Sequence, residues 1–312
     1  MTKLRIVFMG TPDFAVPCLE TLLSGPHEVV GVVTQPDRPK GRGQKFTASP
    51  VKEIALAHSI PVFQPEKIKT EAAVAALRAW NPDLIVVVAF GQLLSPAILK
   101  LPPLGCINVH ASLLPYYRGA APIHWVVING ENKSGVTTMY MDEGMDTGDM
   151  LLKEEVVIGT EETTGQLYEK LKHVGAALLA KSVQLLTENK APRISQDHAK
   201  ATYAPMLSRQ TERIDWTCPA EDIHNLVRGL NPWPGSFAFH RGKLVKIWRT
   251  QVVDGNFSGQ PGRISKINED SFVVETGKGT LEIYELQPES KRRMNSREYI
   301  TGYSPVVGEK ME

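Results

Sequence analysis

Over the first third of the chain, short unbroken β-branched runs alternate with longer segments of helical spacing. Leu4 to Met9 (LRIVFM) runs into Gly10, and helical spacing follows from Phe14 to Leu23, which predicts a strand, a turn and a helix. Val29 to Thr34 predicts a second strand, Leu84 to Phe90 a third, entered from the Ala-rich helix Glu71 to Trp80, and Cys106 to His110 a fourth. Runs that are apolar at every position suit strands covered on both faces, with the intervening helices as crossovers, so the expected class is α/β with a parallel sheet. Such sheets bind ligands at the carboxyl ends of their strands, where Gly10, Thr34, Phe90 and His110 fall.

The pattern changes after the middle of the chain. Thr163 to Glu188 reads as one long amphipathic helix, with Leu167, Leu171, Val174, Leu178 and Leu185 near helical spacing. Asn189 to Tyr203 has no apolar periodicity and reads as an exposed linker. One more helix is expected over Pro219 to Leu230, capped by Thr217 and stopped by Asn231-Pro232. Five short β-rich runs follow, Ser236 to Phe239, Leu244 to Val253, Gly262 to Ile267, Phe272 to Glu275 and Leu281 to Leu286, separated by Gly and Asn. Their number and length suggest a small β-barrel, the oligonucleotide-binding type being one option. The expected organisation is residues 1–189, a linker over 190–206, and a β-barrel domain over 207–312.

Charge narrows the partners. With 35 Lys+Arg against 34 Asp+Glu the formal charge is +1, so any electrostatic recognition is local rather than global. The longest apolar run, Leu84 to Phe90, is far shorter than the roughly 20 residues of a membrane helix. The basic start of MTKLRIVFMG turns polar after one strand's length with no cleavage site, so no secretory signal is expected. Three scattered cysteines, Cys18, Cys106 and Cys218, argue against a disulfide framework or a zinc cluster. A cytoplasmic protein with no membrane contact and no metal is expected.

The stretch Asn108-Val-His110-Ala-Ser112-Leu-Leu-Pro115-Tyr-Tyr-Arg118-Gly119 carries the first candidate chemistry. Asn108 and His110, two apart in a strand, project from the same face, and an amide beside an imidazole can donate two hydrogen bonds to one developing oxyanion. The same residues also fit a turn cap and a satisfied strand-end histidine. Met141 to Asp149 (MDEGMDTGD) gathers acids and glycines into a loop whose carboxylate can orient an imidazole, or simply form a solvated turn. The Asp-x-Asp-x-Asp-Gly order of a calcium loop is absent.

Taken together, Asn108-x-His110, the run Ser112 to Pro115 followed by Arg118-Gly119, and Asp146-Thr-Gly-Asp149 resemble the folate-dependent formyltransferases. Met9-Gly-Thr-Pro-Asp-Phe14-Ala, the insertion Asp37 to Lys52 and the β-rich C-terminal half resemble the tRNA-acting branch of that family. The resemblance implies a Rossmann-like catalytic domain followed by an OB-like β-barrel that binds tRNA. It implies transfer of formyl from 10-formyltetrahydrofolate, as co-substrate, to the α-amine of methionine on initiator methionyl-tRNA. Asn108 and protonated His110 would hold the tetrahedral oxyanion, with Asp146 pairing with His110 and aiding proton transfer to N10. Phe90, Gly91, Gln92, Leu93, Ser112, Leu113, Leu114, Pro115 and Asp142 would bound the folate. Cys18, Cys106 and Ser112 are not read as nucleophiles, because the formyl group is already activated. A monomer is expected.

Between Arg38 and Lys52 no acid interrupts Arg38, Lys40, Arg42, Lys45 and Lys52, and Gly41 and Gly43 suggest a flexible loop suited to phosphate contacts. Arg241, Lys243, Lys246 and Arg249 form a second basic set among apolar residues, and Lys291-Arg-Arg293 a third cluster. A solvated face accounts equally well for any one of the C-terminal set. A small-amine or nucleotide formyltransferase would need neither the loop nor the barrel. A nicotinamide oxidoreductase lacks support, since Gly10-Thr-Pro-Asp-Phe replaces Gly-x-Gly-x-x-Gly.

Overall fold

The computed structural model describes residues 3–40, 45–254 and 259–312, which form two compact units. The first comprises residues 1–119, 134–156 and 168–204, and the second 120–133, 157–167 and 205–312. The units therefore interleave along the chain, which differs from the linear division expected at residue 189.

In the first unit the apolar runs become strands β1 (Arg5–Gly10) and β2 (Glu28–Val33). After a hairpin of β3 (Arg38–Lys40) and β4 (Lys45–Thr47) come β5 (Val62–Phe63), β6 (Leu84–Val88) and β7 (Cys106–His110). A short β8 (Arg118–Gly119) precedes β9 (Lys133–Tyr140) and β10 (Met150–Val157), and β11 (Tyr203–Ala204) closes the series. The main sheet runs β10-β9-β7-β6-β1-β2-β5. Its five strands from β7 to β5 are parallel, as expected, and β9 is antiparallel to β7. Ile6, Val7, Phe8 and Met9 are all fully buried, the signature of a strand covered on both sides.

Helices supply the two covers. Val7, Met9, Ile85 and Val87 pack with Ala73, Val74 and Leu77 of α3 (Glu71–Ala79) and Ile98 of α4 (Pro96–Leu99); α1 (Val16–Ser24) and α2 (Pro50–Ala57) precede these in the chain. The long α6 (Thr164–Thr187) crosses Val109 and Val136, and at Gly175 a methyl group would stand 3.1 Å from the Val109 side chain. The sequence pattern missed β9 because Thr137 and Thr138 interrupt its apolar run. Both are fully buried and satisfied, Thr137 donating to the Ser112 carbonyl at 2.7 Å and Thr138 sharing a hydrogen bond with Ser182 at 2.7 Å.

The segment after α6 differs from a free linker in one respect. Most of its side chains are exposed, as expected of a linker, but its backbone is bound to the first unit: Ile194 bridges Met150 on the edge strand β10, β11 pairs in parallel with β8, and Gln196 is 6% exposed. Polar partners rather than apolar ones hold it, which is why no periodicity marks it.

The second unit contains α5 (Pro122–Ile128), α7 (Arg209–Glu212), α8 (Ala220–Gly229) and α9 (Ser296–Tyr303). Its strands are β12 (Ser236–His240), β13 (Lys243–Val253), β14 (Ile264–Ile267), β15 (Phe272–Glu275), β16 (Thr280–Pro288) and β17 (Met294–Asn295), all pairing antiparallel in the order β12-β13-β16-β15-β14, with β17 on β16. Inward residues Val245, Ile247, Ile264, Phe272, Val274, Leu281, Ile283 and Leu286 meet Ile223 and Val227 of α8 in one core. Residues 310–312 join the sheet's two outer strands: Phe239 and Glu312 exchange backbone hydrogen bonds at 2.7 Å, and Met311 donates to the Gly262 carbonyl at 2.8 Å. The sheet thus closes on itself in the expected barrel-like manner. Gly262, at φ +84°, has to be glycine, since a Cβ there would strike the Met311 carbonyl. Thr217 does not cap α8; Pro219 occupies that position, and Thr217 hydrogen-bonds Asp215 instead.

Candidate active site

At the carboxyl end of β7, parallel pairing with β6 and antiparallel pairing with β9 fix the strand from both sides, so Asn108 and His110 leave the same face two residues apart. His110 is buried and Asn108 partly buried. The imidazole Nε2 lies 3.0 Å from the Tyr117 carbonyl, which can only accept, so Nε2 carries a proton. Nδ1 is thereby the nitrogen left for chemistry, and it faces Asp146 Oδ2 at 3.7 Å. Protonation of Nδ1 gives an imidazolium held between a carbonyl and a carboxylate.

Asp146 is aimed by the backbone. It sits at φ +54°, a left-handed conformation that costs a non-glycine residue about 1–2 kcal/mol and has to be held by its surroundings. Its carboxylate accepts the Gly119 N–H at 2.8 Å. Gly119 is at φ +118°, and a Cβ there would stand 2.8 Å from the Ala204 carbonyl, so only glycine lets this N–H point at Asp146.

The loop from Ser112 to Gly119 is pinned along its length. Ser112 is 2% exposed and donates to the Tyr116 carbonyl at 2.6 Å, Leu114 N–H donates to Thr137 at 3.1 Å, and Lys153 donates to the Leu114 carbonyl at 3.1 Å. Tyr117 N–H reaches the Thr202 hydroxyl at 2.8 Å. Arg118, 2% exposed, places Nε and an Nη on Gln196 Oε1 at 3.1 and 2.6 Å and reaches His198 Nδ1 at 3.0 Å. Gln196 in turn donates to the Asp146 and Gly148 carbonyls, both at 2.8 Å. In the sequence Arg118 stands out only as part of a motif and Gln196 not at all, because an isolated glutamine in a non-periodic segment carries no signal.

The structure sets His110 against Asp146, with Asn108 on the same strand face, and buries the Leu114 and Phe90 side chains expected beside the folate. Leu114 is fully buried against Met139 and Met150, and Phe90 belongs to the core cluster of the α3 side, so neither side chain presents a wall. Pro115 is buried and Leu113 partly so, and the Ser112 hydroxyl is committed within its own loop. What Phe90 offers is its carbonyl, which accepts from Gln35 at 2.9 Å. Gly91 is exposed, Leu93 is 59% exposed, and Gln92 is partly buried, its Oε1 taking the Ile68 N–H at 2.8 Å. In the acidic loop, exposed Asp142 accepts from Gly144 and Thr147 at 3.0 and 2.6 Å, while the neighbouring Met145 is 55% exposed. Burial pushes the thiols of Cys18 and Cys106 up to about 12, which removes them as nucleophiles.

The basic sets fare unevenly. The insertion is a hairpin rather than a loop, with Arg38 opposite Thr47, and exposed Arg38 lies 3.9 Å from Glu66. Lys40 and Lys45 pair at its far end; Arg42 lies outside the described residues. Lys52 is committed to Asp37 at 2.5 Å. In the barrel, Arg241 is not a free cation: it binds Glu309 and the carbonyls of Tyr303 and Ser304 at 2.8, 3.0 and 3.1 Å. Lys246 donates to the Pro234 carbonyl at 2.7 Å, and of the third cluster Arg292 and Arg293 pair with Glu298 and Glu285. Lys243 and Arg249 are exposed, the latter over the Tyr284 ring at 4.8 Å. Sequence reading did not single out Arg209 and Arg213, whose guanidinium groups cover Phe237 and Phe239 on the outer face of β12 at 3.9 and 5.7 Å.

Comparison with known proteins identifies the family. Residues 4–183 match the formyl transferase family and residues 206–304 the formyl transferase C-terminal domain. The chain is 53% identical over 299 residues, 96% of each chain, to a methionyl-tRNA formyltransferase of Alkaliphilus oremlandii. It is 50% identical over 305 residues, 98% of this chain and 99% of the other, to one of Clostridioides difficile. In fold it resembles an N-formyltransferase from Helicobacter canadensis solved with folinic acid and dTDP-3-aminofucose, at TM-score 0.67 and 20% identity over 93% of this chain and all of that one. It also resembles HypX from Aquifex aeolicus in complex with tetrahydrofolic acid, at TM-score 0.62 and 15% identity over 98% of this chain and 48% of that one. With both family models matched in order and relatives this similar along nearly its whole length, the chain belongs to the methionyl-tRNA formyltransferases.

Proposed function

We propose that the enzyme transfers the formyl group of 10-formyltetrahydrofolate to the α-amine of methionine on initiator methionyl-tRNA, giving the N-formyl product that serves translation initiation, with Asn108, His110 and Asp146 as its catalytic residues. The observation that carries this assignment is the His110 imidazole held between the Tyr117 carbonyl and the Asp146 carboxylate, with Asn108 on the same strand face.

In the transfer the amine forms a bond to the formyl carbon, the bond from that carbon to N10 breaks, the amine gives up a proton and N10 gains one. Charge develops on the formyl oxygen between these events. Asn108 and protonated His110 donate hydrogen bonds to it, and each such preorganised donor contributes roughly 10²- to 10³-fold to the rate. Asp146 stabilises the imidazolium and takes part in moving the proton toward N10. Exposed Leu93 and Met145 replace Leu114 as the apolar groups that suit a flat heterocycle, beside the polar backbone of Phe90 and Gly91. No residue has to form a covalent bond to the formyl group.

For the tRNA, Arg38 and Arg42 of the insertion and Lys243 and Arg249 of the barrel are the proposed phosphate contacts, joined by the Arg209 and Arg213 face. The cytoplasm is the proposed compartment, and the chain is proposed to act as a monomer. Among the described residues no helix is long and apolar enough to cross a membrane. Incubating the enzyme with 10-formyltetrahydrofolate and either methionyl initiator tRNA or small amines tests the reading. Formylation of the tRNA at far higher kcat/KM is expected, and preference for a free amine or nucleotide would overturn it.

A further inference from the structure

Gln196 stands outside the catalytic set and outside every motif quoted above, yet all its hydrogen-bonding capacity is spent on the active site. Its Oε1 accepts both Nε and Nη of Arg118, and its Nε2 gives its two hydrogens to the carbonyls of Asp146 and Gly148. The amide is 6% exposed, so water does not substitute for these partners. Its orientation is not free, because Arg118 can only donate and the two carbonyls can only accept.

Arg118 makes the arrangement unusual. It is 2% exposed, and its acceptors are neutral: the Gln196 amide and the His198 Nδ1. A carboxylate in place of Gln196 would satisfy a buried guanidinium more strongly. It could not, however, donate to the two carbonyls. The residue after Arg118 is Gly119, whose N–H fixes the Asp146 carboxylate, so one clamp grips Asp146 twice, at its side chain through Gly119 and at its main chain through Gln196. Asp146 is also the residue held at φ +54°, a conformation its surroundings have to impose.

We propose that Gln196, locked by Arg118, is a positioning residue that holds Asp146 in its left-handed conformation and so sets the carboxylate against His110. The inference rests on the reading of Asp146 as the partner of His110. It makes the segment after α6 part of the catalytic machinery of the first unit.

Gln196→Ala and Gln196→Glu test it, with kcat and both KM values measured using the formyl donor and methionyl-tRNA. Gln196→Glu keeps Arg118 paired and so guards against simple unfolding, while it removes both donors to the carbonyls. Both variants are expected to lose about 10- to 100-fold in kcat with each KM within about threefold, as a misplacement of about 1 Å in the reacting geometry does. In an Asp146→Asn background neither should cost more than about a further twofold, because the effect passes through that carboxylate. A kcat near wild type in folded Gln196→Glu, or a loss that multiplies with that of Asp146→Asn, would overturn the proposal. Wild-type turnover in Asp146→Asn alone would instead overturn the assignment of Asp146 on which it rests.

Discussion

Nδ1 of His110 and Oδ2 of Asp146 stand 3.7 Å apart, beyond a hydrogen bond yet well within the reach of an ion pair. In the proposed mechanism the gap leaves Nδ1–H free to donate to the formyl oxygen, with the carboxylate near enough to stabilise charge that develops on the ring. His110→Ala removes that donor and the proton with it, and turnover should fall by about 10³-fold or more, with folate binding changed far less. Single-turnover formylation within a few-fold of wild type would exclude His110 from the chemistry.

Asp146→Asn should approach the same loss. The amide still accepts from Gly119 but carries no charge to balance an imidazolium. Combined with His110→Ala it should cost little more than either change alone, because groups acting as a unit are non-additive. Losses that multiply would show two independent contributions.

The barrel's arginines should separate by role. Arg249→Ala is expected to weaken methionyl-tRNA binding and lower the slope of log K against log salt by roughly 0.7 to 0.9. Arg241→Ala should leave that slope alone and lower the melting temperature, since its guanidinium ties Glu309 and two α9-end carbonyls to the β12–β13 turn. Equal slopes for Arg249→Ala and wild type would remove Arg249 from the RNA face.

Stability should fall on mild acidification. Burial holds the imidazoles of His27, His124 and His224 below their ordinary value of about 6.5. Above about pH 7.5 all are neutral whether the chain is folded or not. As the pH drops through about 6.5 the unfolded chain binds protons that the folded one resists, so the equilibrium shifts toward unfolding. Below about pH 4 the depressed carboxyls of Asp37 and Asp215 add a second loss of the same sign. Melting temperatures measured from pH 8 to 5 should decline below 6.5, more shallowly in His124→Gln; a flat profile would contradict the burial argument.

What the sequence made legible was whatever burial wrote as apolar runs. β1, β2, β6 and β7 are covered on both faces and stand out for that reason, and with β7 came Asn108 and His110. β9 hid because its buried positions include satisfied threonines, and the insertion hid as a hairpin because its pairing lies among prolines, glycines and cations. The sequence does not separate Leu114 and Phe90 from ligand walls, since an apolar residue beside a motif looks the same whether it faces a ligand or the core. Arg118 and Gln196 are joined by polar bonds across 78 residues of chain, and no periodicity records such a pairing.

The packing of α5 on α8 limits how the second unit can be moved. Trp125 donates its indole N–H to the Pro205 carbonyl at 2.7 Å, and at Gly229 a Cβ would come within 2.5 Å of the Ile128 side chain. α5 reaches this place from a point in the chain well before the barrel begins. Grafted elsewhere as a cassette starting at residue 205, the barrel would arrive with the α5-facing side of α8 stripped of its cover. A fusion partner would inherit an uncovered helix face along with the proposed RNA contacts, so exchange of this unit between proteins has to carry residues 120–133 with it.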